Sequence, residues 1–106
     1  MKQLMKKIAS IVEETRNSGQ IEYASDVNVF ADFESTADLV GIDRESVLLT
    51  FLNKHMRGIA SYIRGHKSQR EDVRGRITDA IVYLCLLWGM IEEDNKDPNW
   101  ESDSTR

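Results

Sequence analysis

Lys54, Arg57, Ser61 and Arg64 recur at i, i+3, i+7 and i+10, which puts them on one stripe if the segment is helical. Guanidinium and ammonium groups on one stripe suit phosphate oxygens, because several charge-assisted donors converge on one anion. A solvated helix face is the ordinary alternative. The stripe runs into Arg64-Gly65-His66-Lys67-Ser68-Gln69-Arg70, a turn that leads to the start of another helix. Free N–H groups and the helix dipole at such an end also favour anions.

A second group follows on the next segment. Arg76, Asp79 and Tyr83 lie at i, i+3 and i+7, with Leu86 and Met90 continuing the same stripe. Arg76 and Asp79 can pair along the helix as a structural ion pair. The other reading has Arg76 holding phosphate while Asp79 meets a base, a ribose or a metal. Asp79 opens a nearly all-apolar stretch, so it is expected to be partly buried and to need a partner. His55 falls within an apolar face, between Leu52 and Ile59, either as a satisfied core or interface histidine or as a ligand-facing one at a subunit seam.

The usual catalytic patterns are missing. The chain has no phosphate-cradling GxxxxGK, no HExxH, no CxxC and no nucleophile with a plausible triad. The carboxylates Glu13-Glu14 and Glu71-Asp72 are sequence neighbours, and on a helix neighbours point in different directions. Glu92-Glu93-Asp94 sits at a helix end, where solvation suffices. No catalytic residue, metal site or cofactor is expected. The single Cys85 has no internal disulfide partner, and its apolar neighbours predict a buried, inert thiol in a reducing compartment.

Net charge is −4, which argues against a duplex-DNA binder. The charge is unevenly spread, however. Residues 44–76 hold eight Lys or Arg against three acids, while the remainder holds six against fifteen. A concentrated basic segment in an acidic protein reads as a local anion site. Met1 to Val12 lacks the continuous apolar stretch of a secretory signal. Ala80 to Ile91 is the longest apolar run and falls short of the about 20 residues that span a bilayer. A cytoplasmic protein with no membrane partner is expected.

Four helices must position these groups. The first is predicted from Lys2 to Arg16, with Leu4, Met5, Ile8, Ile11 and Val12 on one face and Asn17-Ser18-Gly19 closing it. The second follows Asp26 as N-cap and carries Val27, Phe30, Phe33, Ala37 and Val40 up to Gly41. The third is capped by Asp43, reaches about Arg64 and stops at Gly65. Gly58 inside it costs about 1 kcal/mol relative to Ala, and it marks either a close approach or merely weak propensity. The fourth opens with the capping box Ser68-Gln69-Arg70-Glu71 and runs to about Glu93. From Ala80 to Ile91 only Tyr83, Cys85 and Trp88 carry polar groups, so this helix must be covered on every side, and a homo-oligomer is expected. Residues 94–106, with Pro98 and Trp100, read as a polar tail beyond a helical domain of residues 1–93.

Glu22-Tyr23, Phe30 and Phe33, Lys54-His55-Met56-Arg57-Gly58-Ile59 and the Asp79-x-x-x-Tyr83-Leu84 pattern resemble small phage-encoded helical proteins of the MazG-like and nucleotide-modification-associated domain type. The resemblance covers roughly Glu22 to Ile91. It implies an all-α fold and a nucleotide-like ligand facing Lys54, Arg57, Asp79 and Tyr83. The paired Glu-x-x-Glu and Glu-x-x-Asp metal ligands of MazG-type pyrophosphatases are absent here. The expectation is therefore a four-helix, homo-oligomeric, all-α protein in the bacterial cytoplasm that binds a nucleotide without cleaving it, as phage proteins that sequester cyclic nucleotide signals of host defence do. Lys54, Arg57, Arg64, His66, Arg76, Asp79 and Tyr83 form its expected site. The alternatives are a divergent nucleotide pyrophosphatase and a protein-interaction module that inhibits a host protein.

Overall fold

The computed structural model describes residues 1–23, 28–67 and 72–95, with the side chains of 16–23 excepted. Among these residues the regular structure is four helices: α1 (Lys2–Tyr23), α2 (Ala31–Val40), α3 (Arg44–Ile63) and α4 (Val73–Asn95). The expected all-α architecture is present. None of the described helices is long and apolar enough to cross a membrane.

Each boundary has a local cause. α1 continues through Asn17-Ser18-Gly19 to Tyr23, past the stop that those residues predict. A glycine in a helix costs only about 1 kcal/mol, which neighbouring structure readily outweighs. α2 starts at Ala31, later than the sequence predicts, because Asn28 forms a turn before it: the Phe30 N–H donates to Asn28 Oδ1 at 2.9 Å. Asp26 and Val27, the expected start, lie outside the described residues. Gly41 closes α2 with φ +82°, and its N–H donates to the Ala37 carbonyl at 2.8 Å. Asp43 caps α3 as expected, accepting from the Ser46 N–H at 2.7 Å. Gly65, with φ +106°, follows the last turn of α3.

α4 departs from its predicted start. The Ser68-to-Glu71 capping box lies outside the described residues. The helix opens at Val73, and Asp72 Oδ1 accepts the Arg74 N–H at 2.8 Å. An acidic side chain of the protein thus occupies this helix end, so it adds no open anion site to the basic turn before it. At the far end α4 runs on to Asn95, taking in Asp94, the first residue of the predicted tail. Residues 96–106, Trp100 included, lie outside the described residues.

α3 and α4 pack antiparallel. Arg44 reaches Glu93 and Asp94 at one end, while His55 approaches Asp79 farther along. α2 packs on α3, and α1 lies against α4. The core is Phe30, Phe33, Ala37, Val47, Leu48 and Met90, with Tyr83, Leu86 and Leu87 packed against it. Leu48 and Met90 are fully enclosed. Gly89 lets the Phe30 ring approach α4, since a Cβ there would stand 3.1 Å from Phe30 Cζ. Cys85 is exposed, which corrects the expected buried thiol. It faces away from the stripe of Tyr83, Leu86 and Met90 that packs on the core, and nothing in the described chain covers that outer side fully.

Candidate functional site

α3 presents two faces beside α4. The apolar face includes Leu48 and Leu52, both buried, and also His55. The polar face carries Lys54, Arg57, Ser61 and Arg64. Lys54, Arg57 and Arg64 are exposed, as is His66 in the turn beyond them, whereas Ser61 is half-buried. The predicted stripe therefore exists, and its cationic members stand in solvent. Beyond the stripe, Lys67 turns back on α3, with Nζ 3.8 Å from the centre of the Tyr62 ring.

Arg76, Asp79 and Tyr83 lie on the side of α4 that faces α3, all three half-buried. Asp79 Oδ2 approaches His55 Nδ1 at 3.8 Å, too far for a hydrogen bond. His55 is 8% exposed, and its Nδ1 makes no hydrogen bond among the described residues. Its ring packs on Tyr83 with centroids 5.4 Å apart. Tyr83 in turn meets Phe33 edge-on at 6.2 Å and Phe51 at 6.4 Å. Offset and edge-on pairs of this kind hold rings in fixed orientations. His55 is thus a buried histidine at the seam, with Asp79 beside it and the Tyr83 ring against it.

Gly58 supplies the link between the two faces. A Cβ at this position would collide with Cδ, Cζ and Nη1 of Arg76. The Arg76 side chain therefore crosses α3 where the helix has no side chain of its own. On a helix surface the neighbours of Gly58 are Lys54, four residues before it, and Ser61, three after it. On its other flank the neighbours of Gly58 are His55, three residues before it, and Tyr62, four after it, so the Arg76 guanidinium lies on α3 between the cationic stripe and the His55 side of the helix. A close approach accounts for the glycine, and the approaching group is a cation.

Chemically, the arrangement can offer donors without offering a nucleophile. Arg76 lies over Gly58, one helical turn from Lys54 in the chain, with Asp79, Tyr83 and His55 along the same seam. Arg57 and Arg64 extend the positive surface along and just beyond α3, with His66 in the turn that follows. Among the described residues, no three His, Cys, Asp or Glu side chains gather closely enough to hold a metal ion. One participant left no sign in the sequence and another left an ambiguous one. Phe51 reads as one more apolar position on α3, yet it is exposed beside Tyr83. Gly58 signals an approach, but only the packing of α4 identifies Arg76 as what approaches.

A different cluster, at the other end of the α3–α4 pair, is stabilising in character. The Arg44 side chain is 11% exposed and lies over the Phe30 ring, with Cζ 5.1 Å from its centre. Its guanidinium donates to Glu34 at 2.9 Å, Glu93 at 3.0 Å, Asp94 at 2.8 Å and the Met90 carbonyl at 3.2 Å. One side chain thereby joins α2, α3 and α4. The Glu45 carboxyl is held above its ordinary range, first by a hydrogen bond with Asp94 and then by burial. Asp94 is held below the usual carboxylate range by that same bond and by Arg44.

Compared with known proteins, the chain matches no protein-family model, no curated protein and no solved structure.

Proposed function

We propose that this protein binds a phosphate-bearing small molecule, a nucleotide, along the α3–α4 seam and does not cleave it. The observation that supports the reading is the passage of Arg76 across Gly58, which brings a cation from α4 onto α3, whose neighbouring face carries the cationic stripe. Lys54, Arg57, Arg64 and Arg76 hold the phosphates. Asp79 and Tyr83 face the sugar or base, and His66 adds a ring nitrogen donor at the rim. Phosphate oxygens take several charge-assisted donors at once, and a guanidinium supplies two in a fixed fork. The resemblance to phage proteins extends the reading to a role in the infected bacterial cytoplasm, where the protein sequesters a cyclic nucleotide signal of host defence.

Ligand-induced thermal stabilisation tests this reading. At a hundredfold excess over Kd, a ligand that binds only the native state stabilises it by about 2.7 kcal/mol. For a domain of this size that raises Tm on the order of 10 °C. The experiment applies a panel of linear and cyclic nucleotides to the wild type and to Arg57→Glu. A nucleotide should raise the wild-type Tm, and Arg57→Glu should abolish the rise while keeping the unliganded Tm. An unchanged rise in the variant removes Arg57 from the site. No rise with any nucleotide overturns the reading.

We also infer that the protein works as a homo-oligomer. Leu84, Trp88 and Ile91 of α4 are exposed on one chain, and so are Leu4, Met5, Ile8 and Ile11 of α1. Exposed apolar side chains that recur on one face of a helix, as Leu84, Trp88 and Ile91 do, mark an association site.

A further inference from the structure

The exposed face of α4 has a regular spacing. Ile77, Ile81, Leu84, Trp88 and Ile91 recur at intervals of four, three, four and three, the period that keeps an apolar seam facing a partner helix. Ile81 is half-buried, while the other four are between 42% and 54% exposed. They lie on the side of α4 away from the stripe of Asp79, Tyr83, Leu86 and Met90 that faces α3. α1 packs against α4 and carries apolar residues of its own in Leu4, Ile8 and Ile11, spaced four and three. These remain exposed as well. If each large side chain has on the order of 200 Å² to bury, the exposed fractions of these seven leave about 650 Å² of apolar surface open, somewhat less than one partner's share of a standard interface.

Charge selects the orientation. On α4 the exposed end near Val73 carries Arg74, whose side chain is 87% exposed and 3.3 Å from Asp72, and the far end carries Glu92 beside the apolar face, while Arg44 of the same chain holds Glu93 and Asp94. Parallel pairing would set Arg74 against Arg74 and Glu92 against Glu92. Antiparallel pairing sets the arginine of each copy near Glu92 of the other. It also brings the seam into register, with Ile81 opposite Leu84 and Ile77 opposite Trp88. A face that complements itself in both spacing and charge fits a second copy of this chain.

We propose that α4 pairs antiparallel with α4 of a second copy about a two-fold axis at the level of Val82 and Tyr83. The two α1–α4 layers then close into a four-helix bundle with Trp88 of each copy against Ile77 of the other. The proposal rests on the homo-oligomeric reading above and adds its geometry.

The test combines oligomer mass with cysteine cross-linking on the full chain. Light scattering should give an even-numbered oligomer for the wild type, and Leu84→Glu should give a monomer of unchanged helical content. Trp88→Lys, at an equally exposed position, should do the same. In a Cys85→Ser background, Ile77→Cys and Trp88→Cys chains should form the mixed disulfide on oxidation of an equimolar mixture, and neither should form a homodisulfide alone. A wild-type monomer at micromolar concentration, with or without a co-purifying protein, overturns both the pairing and the oligomer. An oligomer in which Ile77→Cys cross-links to itself, or which survives Leu84→Glu, overturns the antiparallel α4 pairing and leaves the oligomer standing.

Discussion

Arg76 fills the space that a side chain at Gly58 would occupy. The two residues come from different helices, and each explains the other: the glycine is present because the arginine passes there, and the arginine reaches across α3 because the glycine is absent of Cβ. The first prediction is a separation of stability from binding. Gly58→Ala should change unfolding free energy by less than about 1 kcal/mol, because the propensity gain offsets displacement of a flexible side chain. The nucleotide-induced rise in Tm should nevertheless shrink, since Arg76 is pushed off α3. A variant that loses stability but keeps the full ligand-induced rise would contradict this.

Asp79→Asn should weaken nucleotide binding about tenfold, the loss of about 1.4 kcal/mol expected for one good polar contact. The fold should hardly notice, because the Asp79–His55 approach is long and Asp79 is partly exposed. Calorimetric titration beside thermal melting separates the two. Metal-dependent release of phosphate from a nucleotide panel, lost in this variant, would replace binding by hydrolysis as the function.

Arg44 should tolerate no conservative exchange. Arg44→Lys keeps the charge but cannot reach Glu34, Glu93, Asp94 and the Met90 carbonyl together. It should cost about 2 kcal/mol, as the loss of charge-assisted hydrogen bonds does, and lower Tm on the order of 10 °C. Equal melting of the lysine variant and the wild type would show that the fork geometry contributes nothing.

Acid should act on two carboxylates in one direction and on a third in the other. Ser46 holds the Asp43 carboxyl low through hydrogen bonds from its side chain and its N–H, and Asp94 is held low by Glu45 and Arg44. Their stabilisation is present above the ordinary carboxylate pKa of about 4 and is lost as pH falls through their lowered values. Glu45 is raised, so its contribution is present below its ordinary value and fades as pH rises through the raised one. Denaturation midpoints should therefore hold or rise slightly from neutral pH down to about 5 and fall below about 4. Asp43→Ala should melt lower at neutral pH and lose less than the wild type on further acidification. Parallel curves for the two proteins would remove the cap as the cause.

Much of the fold was legible from local features. Asp43 is followed three residues later by the N–H that it caps, and Gly41 and Gly65 sit where left-handed backbone ends a helix, so α3 could be bounded from the residues alone. The apolar periodicity of α1 and α4 likewise announced helices. The boundary misses came where one chain segment outweighs a local preference: α1 runs through Gly19, and Asn28 delays α2. The exposure of Cys85 follows from the same limit, because an apolar run tells how much surface must be covered but not which chain covers it.

The sequence by itself determined the helical class, the Asp43 cap and the cationic stripe of Lys54, Arg57, Ser61 and Arg64, since each of these depends on spacings within one helix. Only the tertiary structure decided that Arg76 crosses α3 over Gly58, that His55 packs on Tyr83 beside Asp79, and that Arg44 gathers carboxylates from 10 to 50 residues away. Helical periodicity fixes directions around one axis. The crossing and register of two helices are set by side chains that meet across them, and no spacing within either one contains that information.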